Sequence, residues 1–199
     1  MRLLNSYNIC FIGKTGYGKS SLINALFGTH FSTDPFHSCT KELYSVSILD
    51  RAPKGYDCVT VYDTPGIGEF PDNDVYQAYY DHAVSIADVI VLVVTFAKTD
   101  APEQELLQDI KQHVSNDKKV KFIIALNHID STIVAMDPNY IPWDEDKNEP
   151  TLDCNAIINE RKEIIHQKFD DIFMKSEVVP VCALREYGIE ELRNQIITK

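Results

Sequence analysis

Short runs of β-branched and apolar residues recur along this chain, separated by stretches whose apolar positions follow the spacing of a helix. That alternation points to βαβ units around a mainly parallel sheet. Residues 8–12 read as a first strand, followed by a glycine-rich turn and a helix over 19–27. Residues 29–41, with Pro35 and several small polar residues, read as a long loop. Residues 43–49 alternate as Leu-Tyr-Ser-Val-Ser-Ile-Leu, which suits an edge strand, and 57–62 supply its hairpin partner across Ala52-Pro53-Lys54-Gly55. The pattern then predicts a helix over 73–85, a strand at 89–94, a helix over 102–114, a strand at 120–126, a helix over 153–173, a strand at 178–181 and a last helix over 189–197. Residues 131–151 break this rhythm. Three prolines and a run of acidic residues surround Tyr140, Ile141 and Trp143, and the segment reads as an irregular acidic insertion between a strand end and its helix. Trp143 is expected to pack on its own domain, a lid or docking surface being the alternative.

The implied architecture is α/β. A six-stranded, mostly parallel sheet with one antiparallel edge strand carries helices on both faces, in a single domain over residues 1–199 with no repeat, linker or further module. A length of 199 residues suits one domain with a full core. Composition (44% hydrophobic, 25% charged) is that of an ordinary globular protein, so disordered, collagen-like and disulfide-framework classes fall away. The formal charge of −11 disfavours direct contact with nucleic acid or an anionic membrane, while leaving room for a small anion held in a local cradle. Five cysteines, with no C-x-x-C pair, imply reduced thiols and a cytoplasmic location. No secretory leader is read at the N-terminus, and the longest apolar run, 89–97, is less than half of the roughly 20 residues a membrane helix needs.

One motif carries strong chemical meaning. Gly13-Lys14-Thr15-Gly16-Tyr17-Gly18-Lys19-Ser20 matches G-x-x-x-x-G-K-[ST] and lies where a strand passes into a helix. Its glycines let successive backbone N–H groups turn inward onto phosphate oxygens, and the new helix adds its N-terminal dipole. Lys19 would bridge β- and γ-phosphates, and Ser20 would ligate Mg²⁺. A ligand-free glycine turn is the bland alternative, and a Rossmann reading fails because no third glycine follows Gly16-Tyr17-Gly18 at the required spacing. Asp63-Thr64-Pro65-Gly66 closes the strand at 57–62. Asp63 could hold Mg²⁺ through water, and the Gly66 N–H could reach a γ-phosphate and sense its loss. Asn127-His128-Ile129-Asp130 follows the apolar strand at 120–126, and a carboxylate there accepts from a ring N–H and an exocyclic amine together, a donor pair that guanine has and adenine lacks. Taken alone, either motif is as well explained as a turn.

The ordered set Gly13–Ser20, Thr40, Asp63–Gly66, Asn127–Asp130 and Cys182-Ala183 resembles the five nucleotide motifs of translation-factor-type P-loop GTPases, in particular the Era-like and septin-like branch. The likeness runs over residues 8–197. It implies the P-loop NTPase three-layer sandwich and an enzyme that hydrolyses GTP to GDP with Mg²⁺. The nucleotide contacts implied are Gly13, Gly16, Tyr17, Gly18, Lys19, Ser20, Ser21, Asn127, His128, Asp130, Cys182 and Ala183; Ser20, Thr40 and Asp63 are the implied metal ligands, and Lys19, Thr40 and Gly66 the catalytic groups. By the same likeness Thr40 belongs to switch I, Asp63–Gly66 opens switch II, and Ala183 offers its N–H to the guanine oxygen, with Cys182 where a Ser is usual.

Three departures bear on turnover and affinity. His128 replaces the Lys whose stem usually covers the purine face. Ile67 stands where Ras-like members carry a catalytic Gln, and Gly16 where potassium-activated relatives carry an Asn. Slow intrinsic hydrolysis is therefore expected, with a second copy or a protein partner acting through the switches. Tyr76, Tyr79 and Tyr80 are a candidate contact face, and core packing is the alternative. His37 and Glu69 are weaker candidates for positioning water, and no zinc is assigned to His30, His37 and Cys39. Two other functions remain open: an assembly module with negligible hydrolysis, and an ATP-using P-loop kinase, which the Asn127 and Asp130 pair disfavours.

Overall fold

The computed structural model describes residues 4–33, 43–66, 74–95, 120–131, 140–169 and 176–198. The helix expected over 102–114, together with Thr40, Ile67, His37, Cys39 and Glu69, lies outside them, as do the side chains of Tyr76, Tyr79 and Tyr80.

Eight strands and four helices follow one another as β1 (Ser6–Ile12), α1 (Lys19–Phe27), β2 (Tyr44–Ile48), β3 (Cys58–Asp63), α2 (Asp74–Ile86), β4 (Val89–Thr95), β5 (Lys121–Asn127), β6 (Trp143–Asp144), β7 (Glu149–Pro150), α3 (Leu152–Phe169), β8 (Glu177–Pro180) and α4 (Ile189–Ile197) among the described residues, with a 3-10 turn at Ile129–Ser131. Six strands form one sheet in the order β2-β3-β1-β4-β5-β8. All its pairings are parallel except β2 with β3, so the antiparallel strand sits at the edge as its half-polar pattern requires.

Alternation along the central strands sets the three layers. Ile9 and Phe11 of β1, Val89, Val91 and Val93 of β4, and Ile123 and Ala125 of β5 pack with Leu22 and Leu26 of α1 and Leu192 and Ile196 of α4. Cys10 and Ile12, Ile90, Leu92 and Val94, and Ile124 and Leu126 face the other way, onto Ala83 of α2 and Cys154, Ile158 and Ile165 of α3. Every residue of β4 is buried, which fits a strand covered on both faces.

Residues 140–151 of the acidic segment are more regular than the sequence suggests. Trp143 pairs with Pro150 and Asp144 with Glu149, making a small antiparallel hairpin. Two-residue strands are too short to leave an alternation signal. The turn is instead fixed by the Asp144 carboxylate, which accepts from the backbone N–H groups of Asp146 and Lys147, each at 3.1 Å. Trp143 is buried in the core and meets Tyr187 edge to face at 5.4 Å between ring centroids, so it packs on its own domain.

Parallel strands place their C-terminal ends on one edge, where α/β sheets bind ligands. The loop after β1, Asp63 at the end of β3, Asn127 at the end of β5 and Cys182 beyond β8 all fall there.

Candidate functional site

The glycine-rich loop passes closely under its neighbours. Gly13 has φ +148°, and a Cβ there would lie 2.5 Å from the Val93 carbonyl of β4. Gly18 caps α1 in the left-handed region, and Lys19, the first residue of the helix, is buried with its ammonium donating to the Gly13 and Lys14 carbonyls at 3.0 and 3.2 Å. A buried cation is thereby held inside the curl of the loop, where a phosphate would meet it. Gly16 is exposed with open space beside it, and Tyr17 turns its ring into the core, leaving its backbone to the loop.

Beside the loop the Ser20 hydroxyl donates to Asp63 Oδ2 at 2.5 Å. Asp63 is buried, and Thr64 next to it is strapped to β1 by a 2.8 Å bond from its hydroxyl to the Phe11 carbonyl. Magnesium takes hard oxygens and commonly only one or two from protein, the rest being water and substrate phosphate. A serine hydroxyl adjoining a carboxylate fits that demand. Among the described residues no cluster of three or more His, Cys, Asp or Glu suits a metal held by protein alone. Gly66 crosses the phosphate loop so tightly that a Cβ on it would overlap the Thr15 hydroxyl and come within 2.6 Å of the Thr15 backbone nitrogen.

A second group of residues is assembled around Asn127, which is fully buried. Its Nδ2 donates to the Tyr17 carbonyl at 3.0 Å, and its Oδ1 accepts from the Ala183 N–H at 3.2 Å. One amide thus ties the glycine-rich loop, the end of β5 and the loop after β8 together. The Ala183 N–H, expected to face the base, points in this structure to Asn127. His128 adopts φ +59° and lies near Gly18, where a Cβ would come within 3.1 Å of its Nε2; burial holds the imidazole below its ordinary pKa, and the Asp130 charge acts against that shift. Cys182 is buried, its thiol pushed up to about 11, chiefly by burial, with a hydrogen bond to Asp130 among the smaller causes. A cleft of about 610 Å³ opens between α1 and these loops, lined by Ser21, Asn24, His128, Asp130, Ala183 and Leu184 among others. Its size suits a ligand of nucleoside dimensions.

Several contributors escaped the sequence reading. Asn24 fixes the chain after α1, its Oδ1 accepting from the Phe31 N–H and the Thr29 hydroxyl, each at 2.8 Å, and its Nδ2 donating to the Phe31 carbonyl at 2.9 Å. Arg185 reaches Asp130 from beyond Ala183, its Nε donating to Oδ2 at 3.3 Å. Two arginines outside the cleft, Arg51 and Arg193, both donate to the Leu26 carbonyl at the end of α1, where cations complement the helix dipole.

Comparison with known proteins agrees with this geometry. Residues 8–128 match the family model described as 50S ribosome-binding GTPase. The chain is 27% identical over 200 residues to the uncharacterized protein YfjP of Escherichia coli K12, covering 95% of this chain and 60% of that protein. It is 24% identical over 193 residues to GTPase Era of Aquifex aeolicus, covering 95% of this chain and 55% of Era. The chain therefore spans little more than half the length of these relatives. Among solved structures, Era in complex with MgGDPNP and a 16S ribosomal RNA fragment superposes with a TM-score of 0.66 at 24% identity, over 98% of this chain and 57% of that one. Toc33 from Arabidopsis thaliana gives 0.68 at 20% identity, over 97% and 83%. These structural likenesses speak to the fold. With well over half of its residues matched by the family model, the chain belongs to the 50S ribosome-binding GTPase family.

Proposed function

We propose that this chain binds GTP and GDP with Mg²⁺ and hydrolyses GTP to GDP and phosphate slowly, acting as a nucleotide-dependent switch. The observation that carries the reading is the alignment, along one sheet edge, of a buried lysine in a glycine-rich loop, a Ser–carboxylate pair, and a second carboxylate at the end of a 610 Å³ cleft. In this reading Lys19 and the loop N–H groups hold the β- and γ-phosphates, and Ser20 and Asp63, with Thr40, hold the metal. Mg²⁺ when bound neutralises charge on the phosphate oxygens. Asp130 accepts from guanine, and Asn127 keeps the phosphate loop and the base loop in register. Water attacks the γ-phosphorus in line, the β–γ bridging oxygen leaves with GDP, and Lys19 balances the charge that develops on it. The Gly66 N–H would lose its phosphate partner after the step and Thr40 its place on the metal, which would couple turnover to the switches.

Slow turnover is the reading that the sequence and the described residues support. Ile67 offers no side chain to orient water, and Gly16 offers no potassium ligand. Arg51 and Arg193 are spent on the α1 terminus and Arg185 on carboxylates at the base end. An arginine supplied in trans is worth roughly 10³ to 10⁵ in rate, about 4 to 7 kcal/mol of barrier. Single-turnover phosphate release tests the proposal: rates should be slow, GTP-selective over ATP, rise with protein concentration or a partner, and be the same in Na⁺ and K⁺. A concentration-independent rate on the order of 1 s⁻¹ overturns the slow-switch reading, and nucleotide-dependent growth in mass by light scattering without phosphate release favours an assembly module.

A further inference from the structure

The Asp130 carboxylate belongs to a chain of contacts that leaves the cleft. Arg185 gives it one N–H, from Nε, at 3.3 Å. The other end of the same guanidinium forks onto Glu145 of the β6–β7 turn, Nη1 and Nη2 donating to the two carboxylate oxygens at 2.7 and 2.9 Å. Trp143 of the same hairpin lies against the guanidinium, 4.8 Å from ring centroid to Cζ. Asn148 completes the grip: its Nδ2 donates to the Arg185 carbonyl at 3.0 Å, while its Oδ1 accepts from the Trp143 indole at 3.3 Å. Arg185 is therefore held through both its side chain and its backbone by residues 143–148, and presents a single N–H to Asp130.

That geometry has a definite sense. A carboxylate carries about four lone-pair sites, so one N–H on Oδ2, with the Cys182 thiol as a second neighbour, still leaves room for donors from the cleft. Guanine needs both oxygens in the plane of its ring, one for N1–H and one for the 2-amino group. A carboxylate free to rotate satisfies one donor at a time. With its fork anchored on Glu145, the guanidinium aims its remaining N–H in one direction and so holds the Oδ2 it meets, whereas the point charge of a lysine on its flexible stem does not. The shorter, paired bonds to Glu145 keep the guanidinium from turning its fork onto Asp130 and covering the lone pairs the base requires.

We infer that Arg185 is a specificity-positioning residue of the base site, orienting Asp130 for guanine, and that the acidic hairpin sets its position through Glu145, Trp143 and Asn148. The inference rests on the guanine-site reading above and assigns that site's selectivity to a hairpin outside its lining. It is tested by calorimetric titration of the full chain, with Mg²⁺, against GDP, IDP and ADP. Hypoxanthine keeps N1–H but lacks the 2-amino group, so the GDP:IDP affinity ratio reports the second bond to Asp130.

Arg185→Ala should weaken GDP about tenfold, the worth of a charge-assisted hydrogen bond, and IDP less, so that the ratio falls. Arg185→Lys should not restore the ratio. Glu145→Gln, at a side chain that is 73% exposed and so safe for folding, should lower the ratio in the same direction by a smaller factor. The double variant should be no worse than Arg185→Ala alone, because the hairpin acts through the arginine. An unchanged ratio in Arg185→Ala, tighter GDP binding in that variant, or additive losses in the double variant each overturn the inference. Wild-type protein that binds GDP no tighter than ADP instead defeats the guanine-site reading itself.

Discussion

At the proposed phosphate end of the site the groups lie in one run of eight residues whose curl is set by the backbone, with long-range bonds from Ser20 to Asp63 and from Asn127 to Tyr17. At the base end, residues 127–130, 143–148 and 182–187 converge from three places and act through side chains. A main-chain cradle constrains its own sequence, because glycines must stand where a Cβ would strike Val93 or Asn127. A side-chain cradle constrains only which residues meet once the sheet has formed. The two ends should accordingly fail in different ways, and the largest effect belongs to Lys19→Ala. Loss of the buried ammonium should weaken GTP, ITP and XTP alike by roughly 100-fold or more while the unliganded fold persists. Asp130→Asn should instead exchange guanine for xanthine, whose 2-oxo group accepts from the new amide. Calorimetry with the three nucleotides checks both: a base-dependent loss in Lys19→Ala, or a uniform one in Asp130→Asn, would erase the distinction between the ends.

The same difference explains what could be read from the chain. The strand and helix order, the antiparallel edge and the glycine-loop position were legible because β4 and β1 are buried on both faces and alternate cleanly between the two cores. Lys19 and Ser20 could be placed because the glycine loop fixes where they follow it, and Asp63 because it ends the strand that pairs with β1. The hairpin was not: Trp143-Asp144 and Glu149-Pro150 are two residues each, and the Asp144 turn that joins them leaves no period in the sequence. Arg185 was not either, since one arginine beyond Cys182-Ala183 reads as a surface charge until Glu145 and Trp143 are seen on it. Asn127 was read for its place in the base motif, and its role as a strut between loops emerges only from its two partners.

Gly18 is where the ends meet, and a substitution there should break both at once with a smaller effect than loss of Lys19. At φ +83° an alanine pays for left-handed backbone, roughly 1–2 kcal/mol. Its Cβ would also sit 2.5 Å from Asn127 Nδ2, forcing that side chain off the Tyr17 carbonyl and the Ala183 N–H. Denaturant unfolding of Gly18→Ala should show a loss of about 2–3 kcal/mol in all, and GDP binding should lose affinity and base selectivity together. Loss of affinity with selectivity intact would mean that Asn127 does not couple the two loops.

The smallest effect concerns His128, which lies at that junction on the base side. Burial holds its pKa below the ordinary value of 6.5, and the nearby Asp130 carboxylate offsets only part of the shift. In the unfolded chain the imidazole takes up a proton near pH 6.5, while in the folded protein it resists doing so until lower pH. The unfolded state therefore binds more protons in that interval, and stability falls as pH drops. The neutral imidazole's contribution is complete above about pH 6.5 and is lost as pH falls from there through the lower folded value. Asn is the replacement to use, because it tolerates the left-handed backbone His128 adopts at φ +59° and does not titrate. Thermal melts of wild type and His128→Asn from pH 7.5 to 5.5 isolate this group, since every other titrating residue is common to both. The melting temperature of wild type should drop relative to the variant across that range. Curves that stay parallel would place His128 in solvent, and the base end would then lack the half-buried imidazole that distinguishes it from the phosphate end.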